Sequence, residues 1–245
     1  MFKAELKAEI LKGLVNVIST VVDEVKFNIR PNAISMRAID PAHVAMIEIV
    51  VDKDAFISYE ADECEIGIDL DKIKTVLKLA GPGDTILLEH DPDQGRLSFT
   101  IGNLVRRMSL VDTSGMNDPK VPSTEFPVSV KIPIDQLLKG IRASESISDH
   151  LKISVDPEGF ELSCEGDMDF ASLRVPSSDL VSLNAESGVT SLYPLDYFSN
   201  IVKVIAAGTV VEMQLDNDYP VKLLFNMAEE HVRVVYFLAP RIENE

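Results

Sequence analysis

The chain has few cysteines, no long apolar run and no leader-like start. Cys64 and Cys164 lie in opposite halves of the 245 residues, which suits neither a metal-binding pair nor a secreted disulfide framework, so reduced thiols are expected. No apolar stretch approaches the roughly 20 residues that cross a bilayer. Residues 1–6 alternate and contain an acid, unlike a signal peptide. These absences predict an intracellular protein without membrane attachment.

Basic residues are also scarce. The chain has 23 lysines and arginines against 40 aspartates and glutamates, a formal net charge of −17. Such a balance opposes non-specific adhesion to phosphate or anionic lipid. The overall composition, taken without regard to position, therefore argues against DNA binding.

Motifs of catalysis are absent too. The sequence contains no glycine-rich phosphate loop, no HExxH and no GxSxG. The histidines, at positions 43, 90, 150 and 231, show no ligand spacing. We therefore predict no catalytic residue, no metal site and no cofactor. An enzyme that uses some of the acids is the main alternative class, although acids in so acidic a chain mostly solvate its surface.

The most informative pattern is an internal duplication. The tetrapeptide LKGL at 11–14 recurs as LKGI at 138–141. Leu70-Asp71, with Lys78 and Gly83, recurs as Leu195-Asp196, with Lys203 and Gly208. The two recurrences have nearly the same offset and the same order, which indicates a duplicated domain.

Each half combines two periodicities. Apolar residues at helical spacing predict helices over about 9–20, 71–80, 135–145 and 196–206. Alternation over 25–30, 96–101 and 151–155 predicts strands, and turn residues at 31–32, 91–95, 156–159 and 216–218 predict hairpins. The expected fold class is α+β, with two similar domains of two helices on antiparallel sheets. Predicted bounds are 1–112 and 128–245, joined by a proline-containing linker over 113–127.

The predicted helices differ in charge from the rest of the chain. They contain seven basic residues against the five acids Glu9, Asp71, Asp135, Glu145 and Asp196, so the acidic excess lies elsewhere. Glu145 is unusual because it sits near a helix C-terminus, where the helix dipole disfavours an acid. The basic residues are either ordinary solvated helix faces or a weakly basic surface that contacts phosphate without reading bases. They are Lys12, Lys72, Lys74, Lys78, Lys139, Arg142 and Lys203.

Four segments resemble the proliferating cell nuclear antigen (PCNA) family, the sliding clamps of archaea and eukaryotes. Residues 35–47 (SMRAIDPAHVAMI) resemble its first-domain signature, and residues 236–243 (YFLAPRIE) resemble its C-terminal segment. Residues 1–4 (MFKA) and 218–223 (DYPVKL) also fit. The matches are in the right order and spacing, so the resemblance covers essentially the whole chain.

The resemblance implies a function. Three two-domain subunits would form a ring whose helices line a central hole around duplex DNA. A clamp loader would close the ring, which would slide, make DNA polymerase processive and dock replication and repair proteins such as flap endonuclease and DNA ligase. The location would be cytoplasm or nucleoid if the source is archaeal. A non-DNA scaffold, or a checkpoint-type clamp homologue that works only in a heterotrimer, is the other alternative.

The resemblance also implies a DNA-facing set. Lys12, Lys78, Lys139, Arg142 and Lys203 match the basic positions of the family's pore, and Lys72, Lys74 and Arg106 could add to them. Some family members have further basic residues where this chain has Gly13, Ser19, Thr75 and Asp196. That departure predicts a weaker hold on DNA.

A second implied set would dock apolar and aromatic plugs of partner peptides beside the linker. From sequence alone, core packing is the better interpretation of Val44, Met46 and Val121, and His43 alone would be a structural histidine. Methionine repacks readily around varied side chains, which favours docking. The set is Ile39, His43, Val44, Met46, Met116, Val121, Pro122, Pro220, Phe237, Ala239, Pro240 and Ile242.

A third implied set concerns self-association. Edge strands at about 104–112 of one subunit and 168–176 of the next are expected to pair in the trimer. Arg106 and Arg107 are expected to find acidic partners such as Glu145 or Asp149 on the neighbour. The predicted interface residues are Arg106, Arg107, Leu110, Phe170, Leu173 and Val175.

Overall fold

The computed structural model describes residues 1–242, so residues 243–245 of the predicted second domain, including Glu243 of the C-terminal motif, lie outside the described residues. The chain divides into two compact units. The first contains Met1–Asp40, Ile47–Lys120 and Asn226–Val234. The second contains Pro41–Met46, Val121–Phe225 and the described residues from Val235 onward.

The first half of the chain holds nine strands and two helices. One antiparallel sheet has the order β5-β1-β7-β8-β9, which makes β5 and β9 its edges, and β6, β2, β3 and β4 are successive neighbours in another. The bounds are β1 (Phe2–Lys7), α1 (Ala8–Ile18), β2 (Glu24–Arg30), β3 (Ala33–Ile39), β4 (Ala45–Asp52), β5 (Ser58–Ala61), β6 (Cys64–Asp69), α2 (Leu70–Leu77), β7 (Thr85–Asp91), β8 (Arg96–Ile101) and β9 (Leu104–Ser109).

The second half repeats this order of elements. Its sheets have the orders β14-β10-β16-β17-β18 and β13-β12-β11-β15, which confirms the prediction of two similar domains with two helices on antiparallel sheets. The bounds are β10 (Val128–Pro133), α3 (Ile134–Ser144), β11 (His150–Asp156), β12 (Gly159–Glu165), β13 (Phe170–Pro176), β14 (Ser182–Ala185), β15 (Val189–Pro194), α4 (Leu195–Lys203), β16 (Val210–Leu215), β17 (Val221–Met227) and β18 (Val232–Leu238).

Each helix buries the apolar side that its spacing predicts. Helix α1 buries Leu14, Val15 and Ile18, whereas Lys12 on its other side is exposed. Helix α2 begins at a side-chain cap, because the Asp69 carboxylate accepts a hydrogen bond of 3.1 Å from the backbone N–H of Lys72. The basic side chains are therefore directed away from the cores.

The predicted hairpins form at their turn residues. Residues 91–95 join β7 to β8, and Gly95 has φ of 57°, a conformation that glycine adopts without strain. The turn between β11 and β12 is held by Asp156, whose Oδ1 accepts from the N–H groups of Glu158 (2.8 Å) and Gly159 (3.0 Å). Residues 113–127 contain neither a helix nor a strand.

Candidate functional site

The seven basic residues predicted to face DNA lie on or next to the four helices. Lys78 directly follows α2 as its C-cap, and the other six lie within the helices. Lys74 is half-buried, and the other six are exposed. In each unit, the exposed sides of two helices therefore carry cationic groups that solvent or an anion can reach.

Three of these cations are paired with acids of the same unit. The Lys72 ammonium lies 3.2 Å from Asp69, and the Lys74 ammonium lies 3.0 Å from Asp71, both at i,i+3 spacing. Lys203 bonds to Glu145 across two helices. Within residues 1–242, Lys12, Lys78, Lys139 and Arg142 form no ion pair, although the charge of Arg142 contributes to the lowered pKa of Glu145.

Glu145 is more constrained than an exposed acid usually is. It is the C-cap of α3, and its Oε1 accepts a hydrogen bond of 2.8 Å from Ser199 Oγ as well as the bond from Lys203. The Lys203 bond, followed by the Ser199 bond, lowers the pKa of the Glu145 carboxyl. Its unusual position is visible in the sequence, but its partners on α4 are not.

The four positions at which the resemblance led us to expect further cations are Gly13, Ser19, Thr75 and Asp196. A Cβ at Gly13 would lie 2.7 Å from the Cε of Met227, so a side chain there would have to displace that methyl group. The Ser19 hydroxyl is buried, and Thr75 donates to the backbone oxygen of Asp71 at 2.9 Å. Asp196 places an acid in the first turn of α4.

An apolar cluster in the second unit contains part of the predicted docking set. Its buried members are Met46, Val235 and Phe237, and the half-buried side chains of Val121, Phe126 and Leu224 pack against them. Three of these six, Met46, Val121 and Phe237, belong to the predicted set. We refer to these six residues as the apolar cluster.

The other three members, Phe126, Leu224 and Val235, were missed by sequence reasoning. Phe126 was assigned to the linker, and its role depends on contacts far along the chain. Its ring packs against the Tyr219 ring in an edge-to-face arrangement, with 5.8 Å between the centroids. The available signal was that Phe126 is the one aromatic residue of the linker. Lys222, also missed, places its ammonium 5.9 Å from the centroid of the Phe237 ring.

The remaining predicted docking residues are distributed around both units. Ala239 donates its N–H to the Val44 carbonyl at 2.8 Å. His43 is exposed with φ of 59°, and Ile242 is 65% exposed. Pro122, Pro220 and Pro240 are half-buried. Ile39 and Met116 belong to the first unit.

The strands predicted for self-association are both sheet edges. Arg106 and Arg107 are exposed on β9, and Leu110 follows that strand half-buried. On β13, Phe170 is 65% exposed, whereas Val175 is buried. Leu173 packs against α3, since its Cδ2 would lie 3.1 Å from a Cβ placed at Gly140. Leu173 and Val175 thus pack inward, and the exposed side of β13 is formed by Phe170 and its alternate neighbours.

Neither of two other site types is found in residues 1–242. No helix there is long and apolar enough to cross a membrane. No group of three or more His, Cys, Asp or Glu side chains is placed to hold a metal ion.

Comparison with known proteins places both halves of the chain in one family. The family model described as "Proliferating cell nuclear antigen, N-terminal domain" matches residues 1–114, and that described as "Proliferating cell nuclear antigen, C-terminal domain" matches residues 120–241. The chain is 39% identical over 246 residues to a protein of Methanocella arvoryzae named DNA polymerase sliding clamp, and 39% identical to the protein of that name from Methanosarcina barkeri. Each alignment covers 100% of both chains.

A solved structure has the same fold. It contains A. fulgidus PCNA bound to the C-terminal region of FEN-1, and its clamp chain matches this one with a TM-score of 0.94 and 30% identity. The match covers 100% of both chains.

Proposed function

The chain belongs to the proliferating cell nuclear antigen family, and on this basis we propose that it is a DNA polymerase sliding clamp. Three copies close into a ring around duplex DNA and keep DNA polymerase and other replication and repair proteins on it. The protein acts inside the cell and has no catalytic residue of its own. The observation that carries the proposal is full-length similarity, at 39% identity, to proteins named DNA polymerase sliding clamp.

Charge distribution supports the DNA-facing part of the proposal. Lys12, Lys78, Lys139 and Arg142 are exposed on or directly after a helix and form no ion pair within residues 1–242. Flexible lysines that contact phosphates give weak, salt-sensitive and sequence-independent binding. A ring that has to slide requires contacts of this kind, since strong or base-specific contacts would hold it in place.

The apolar cluster is the proposed docking surface for partner peptides. The A. fulgidus relative binds the C-terminal region of FEN-1, and by likeness we assign the cluster and the flanking residues 239–242 to short peptides of polymerase, flap endonuclease, ligase and clamp loader. Methionine and proline borders suit varied apolar plugs. The segment after β18 bonds to Val44 and Leu192 through the N–H groups of Ala239 and Arg241, and its other backbone groups are proposed to pair with an extended peptide.

The trimer is proposed to form through β9 of one subunit and β13 of the next. Both strands lie at sheet edges and expose apolar side chains, Val105 at 50% and Phe170 at 65%. Unpaired edges of this kind readily pair with another chain. Each subunit is proposed to consist of clamp domains at 1–112 and 128–245, joined by a linker at 113–127.

The decisive experiment is polymerase extension on primed circular DNA with a clamp loader and ATP. We expect this protein to lengthen the products made in one binding event. Replacing Lys78, Arg142 and Lys203 together by glutamine should weaken retention on the circle while light scattering still shows a trimer. Failure of the wild-type protein to stimulate extension would reject the clamp function. A monomer at all concentrations would instead support an obligate heterotrimer.

A further inference from the structure

The duplication places one lysine in two different electrostatic environments. Lys78 and Lys203 are equivalent, since each lies eight residues after the first residue of α2 or α4, Leu70 or Leu195. The residues that cap the preceding helices, α1 and α3, are also equivalent, but they are Ser19 and Glu145. Both units therefore have a lysine at this position, but only the second has an acid at the helix cap that could neutralise it.

In the second unit the counter-charge is held in place before any DNA arrives. Ser199 is only 4% exposed and donates its hydroxyl to Glu145 Oε1 at 2.8 Å. Because this buried serine already orients the carboxylate, Lys203 loses less conformational freedom by pairing with it than in an isolated surface pair. The bond from Lys203, followed by that from Ser199, lowers the pKa of Glu145, as expected for a carboxyl that is paired in its charged form.

In the first unit the corresponding side chain cannot pair. Ser19 is short and uncharged, and its Oγ is buried without a hydrogen-bond partner within residues 1–242. Lys78 is exposed and forms no ion pair in the same part of the chain. Lys78 therefore has no carboxylate to leave before it contacts a phosphate, whereas Lys203 does.

We propose that Glu145 acts as an internal substitute for a DNA phosphate, holding Lys203 back so that each subunit presents one free and one self-neutralised lysine at equivalent positions. The proposal rests on the clamp function. A phosphate reaches Lys203 only by displacing the Glu145 carboxylate. Glu145 then takes up a cation from solution, which offsets the counter-ion released from DNA. Glu145 thus weakens the hold on DNA and favours sliding.

The salt dependence of DNA binding measures this exchange directly. Binding of the full-length trimer to a short fluorescent duplex is followed by anisotropy while the salt concentration is raised. For a free lysine that neutralises one phosphate, the slope of log K against log salt changes by about 0.9. We expect Lys78→Gln to reduce the slope by about this amount per engaged subunit, and Lys203→Gln to change it little.

Removing the carboxylate should reverse that difference. Glu145→Gln retains an oxygen for Ser199 but releases Lys203, so we expect tighter binding and a slope steeper by about 0.9 per engaged subunit. When Lys203→Gln is introduced into this variant, it should reduce the slope by as much as Lys78→Gln does. The matched control is Glu186→Gln, which removes one exposed charge between β14 and β15 and should leave the slope unchanged.

Two results would overturn the role of Glu145. The first is a slope of log K against log salt that is the same for Glu145→Gln and Glu186→Gln. The second is a Lys203→Gln variant, made with Glu145 in place, whose slope falls as much as that of Lys78→Gln. A different failure, in which neither Lys78→Gln nor Arg142→Gln alters binding, would reject the DNA-facing assignment of the helices instead.

Discussion

The hydroxyl groups of Thr124 and Tyr219 lie 2.6 Å apart, although 95 residues separate them along the chain. Tyr219 also meets the ring of Phe126 edge to face, and Phe126 packs against Met46, Val235 and Phe237. The C-terminal end of the predicted linker is thus attached to the second unit at two neighbouring residues. This attachment positions one side of the apolar cluster.

Tyr219→Phe tests the hydrogen bond without removing the ring contact. We expect a loss of about 0.5–1.5 kcal/mol in the free energy of unfolding and faster amide hydrogen exchange over residues 123–126. Thr124→Val should give the same result, and the double variant should cost little more than either single one. Additive losses would show that the two hydroxyls do not act as a pair.

Substitutions in the apolar cluster should separate docking from stability. Met46→Ala and Phe237→Ala remove buried side chains, so each should destabilise the fold by about 2–5 kcal/mol. Each should also weaken binding of a FEN-1-type C-terminal peptide, measured by calorimetry below the melting temperature. Met213→Ala is the control, because Met213 is buried in the same unit outside the cluster. Peptide affinity equal to that of Met213→Ala would place the docking site elsewhere.

The glycines of the two Leu-Lys-Gly segments should respond differently to alanine. A Cβ at Gly140 would lie 3.0 Å from Leu162 Cδ2 and 3.1 Å from Leu173 Cδ2, whereas a Cβ at Gly13 meets only the end of the half-buried Met227. Gly13→Ala should gain up to about 1 kcal/mol from helix propensity, because a methionine tip moves readily. Gly140→Ala should lose about 1 kcal/mol through overpacking. Urea denaturation of both variants measures the difference, and the opposite order would contradict it.

Asp69 should make the stability of α2 depend on pH. Its hydrogen bond from the Lys72 N–H lowers the pKa of the carboxyl below the usual 3.8. A lowered folded-state pKa stabilises above the unfolded-state value, and this contribution is lost as the pH falls through the folded-state value. Asp69→Ala should therefore cost about 1 kcal/mol at neutral pH and less in acid.

The control for this prediction is Asp69→Asn, which retains a capping oxygen but cannot titrate. Denaturation curves from pH 7 down to about 2 should show a difference between wild type and Asp69→Ala that shrinks with acid. The difference between Asp69→Asn and Asp69→Ala should stay nearly constant. A wild-type advantage that grows at low pH would contradict the assigned cap.

The proposed trimer contact predicts the effect of a charge at a sheet edge. Phe170→Asp should dissociate the ring, because it places a charge on the exposed side of β13 where an apolar contact is expected. Size-exclusion chromatography with light scattering gives the mass directly. Ile57→Asp, at a side chain 57% exposed but outside β9 and β13, should remain trimeric. A trimer that survives Phe170→Asp would move the interface from β13.

Local patterns account for much of the fold. Helical spacing in α1 and alternation in β8 depend on residues a few positions apart, so both elements are predictable from sequence. The duplication strengthens those predictions, since Leu-Lys-Gly occurs in both α1 and α3. In the structure, a Cβ at either glycine would come close to a neighbouring side chain. Helix ends are predicted less well, because α2 stops at Leu77, before its apolar pattern ends at Ala80.

Tertiary structure decided which residues act together. No periodicity connects Phe126 to Met46 or Glu145 to Lys203, because these contacts depend on how distant segments pack. Val175 is a different case: the resemblance assigned it to the subunit interface, but its alternation with Ser172 and Arg174 is typical of an inward-facing residue, and it is buried. The sequence contains the cations of the helices, whereas only folding determines that Glu145 neutralises Lys203 and that Lys78 remains free. The physical reason is that charge and periodicity are local properties, while pairing requires proximity in three dimensions.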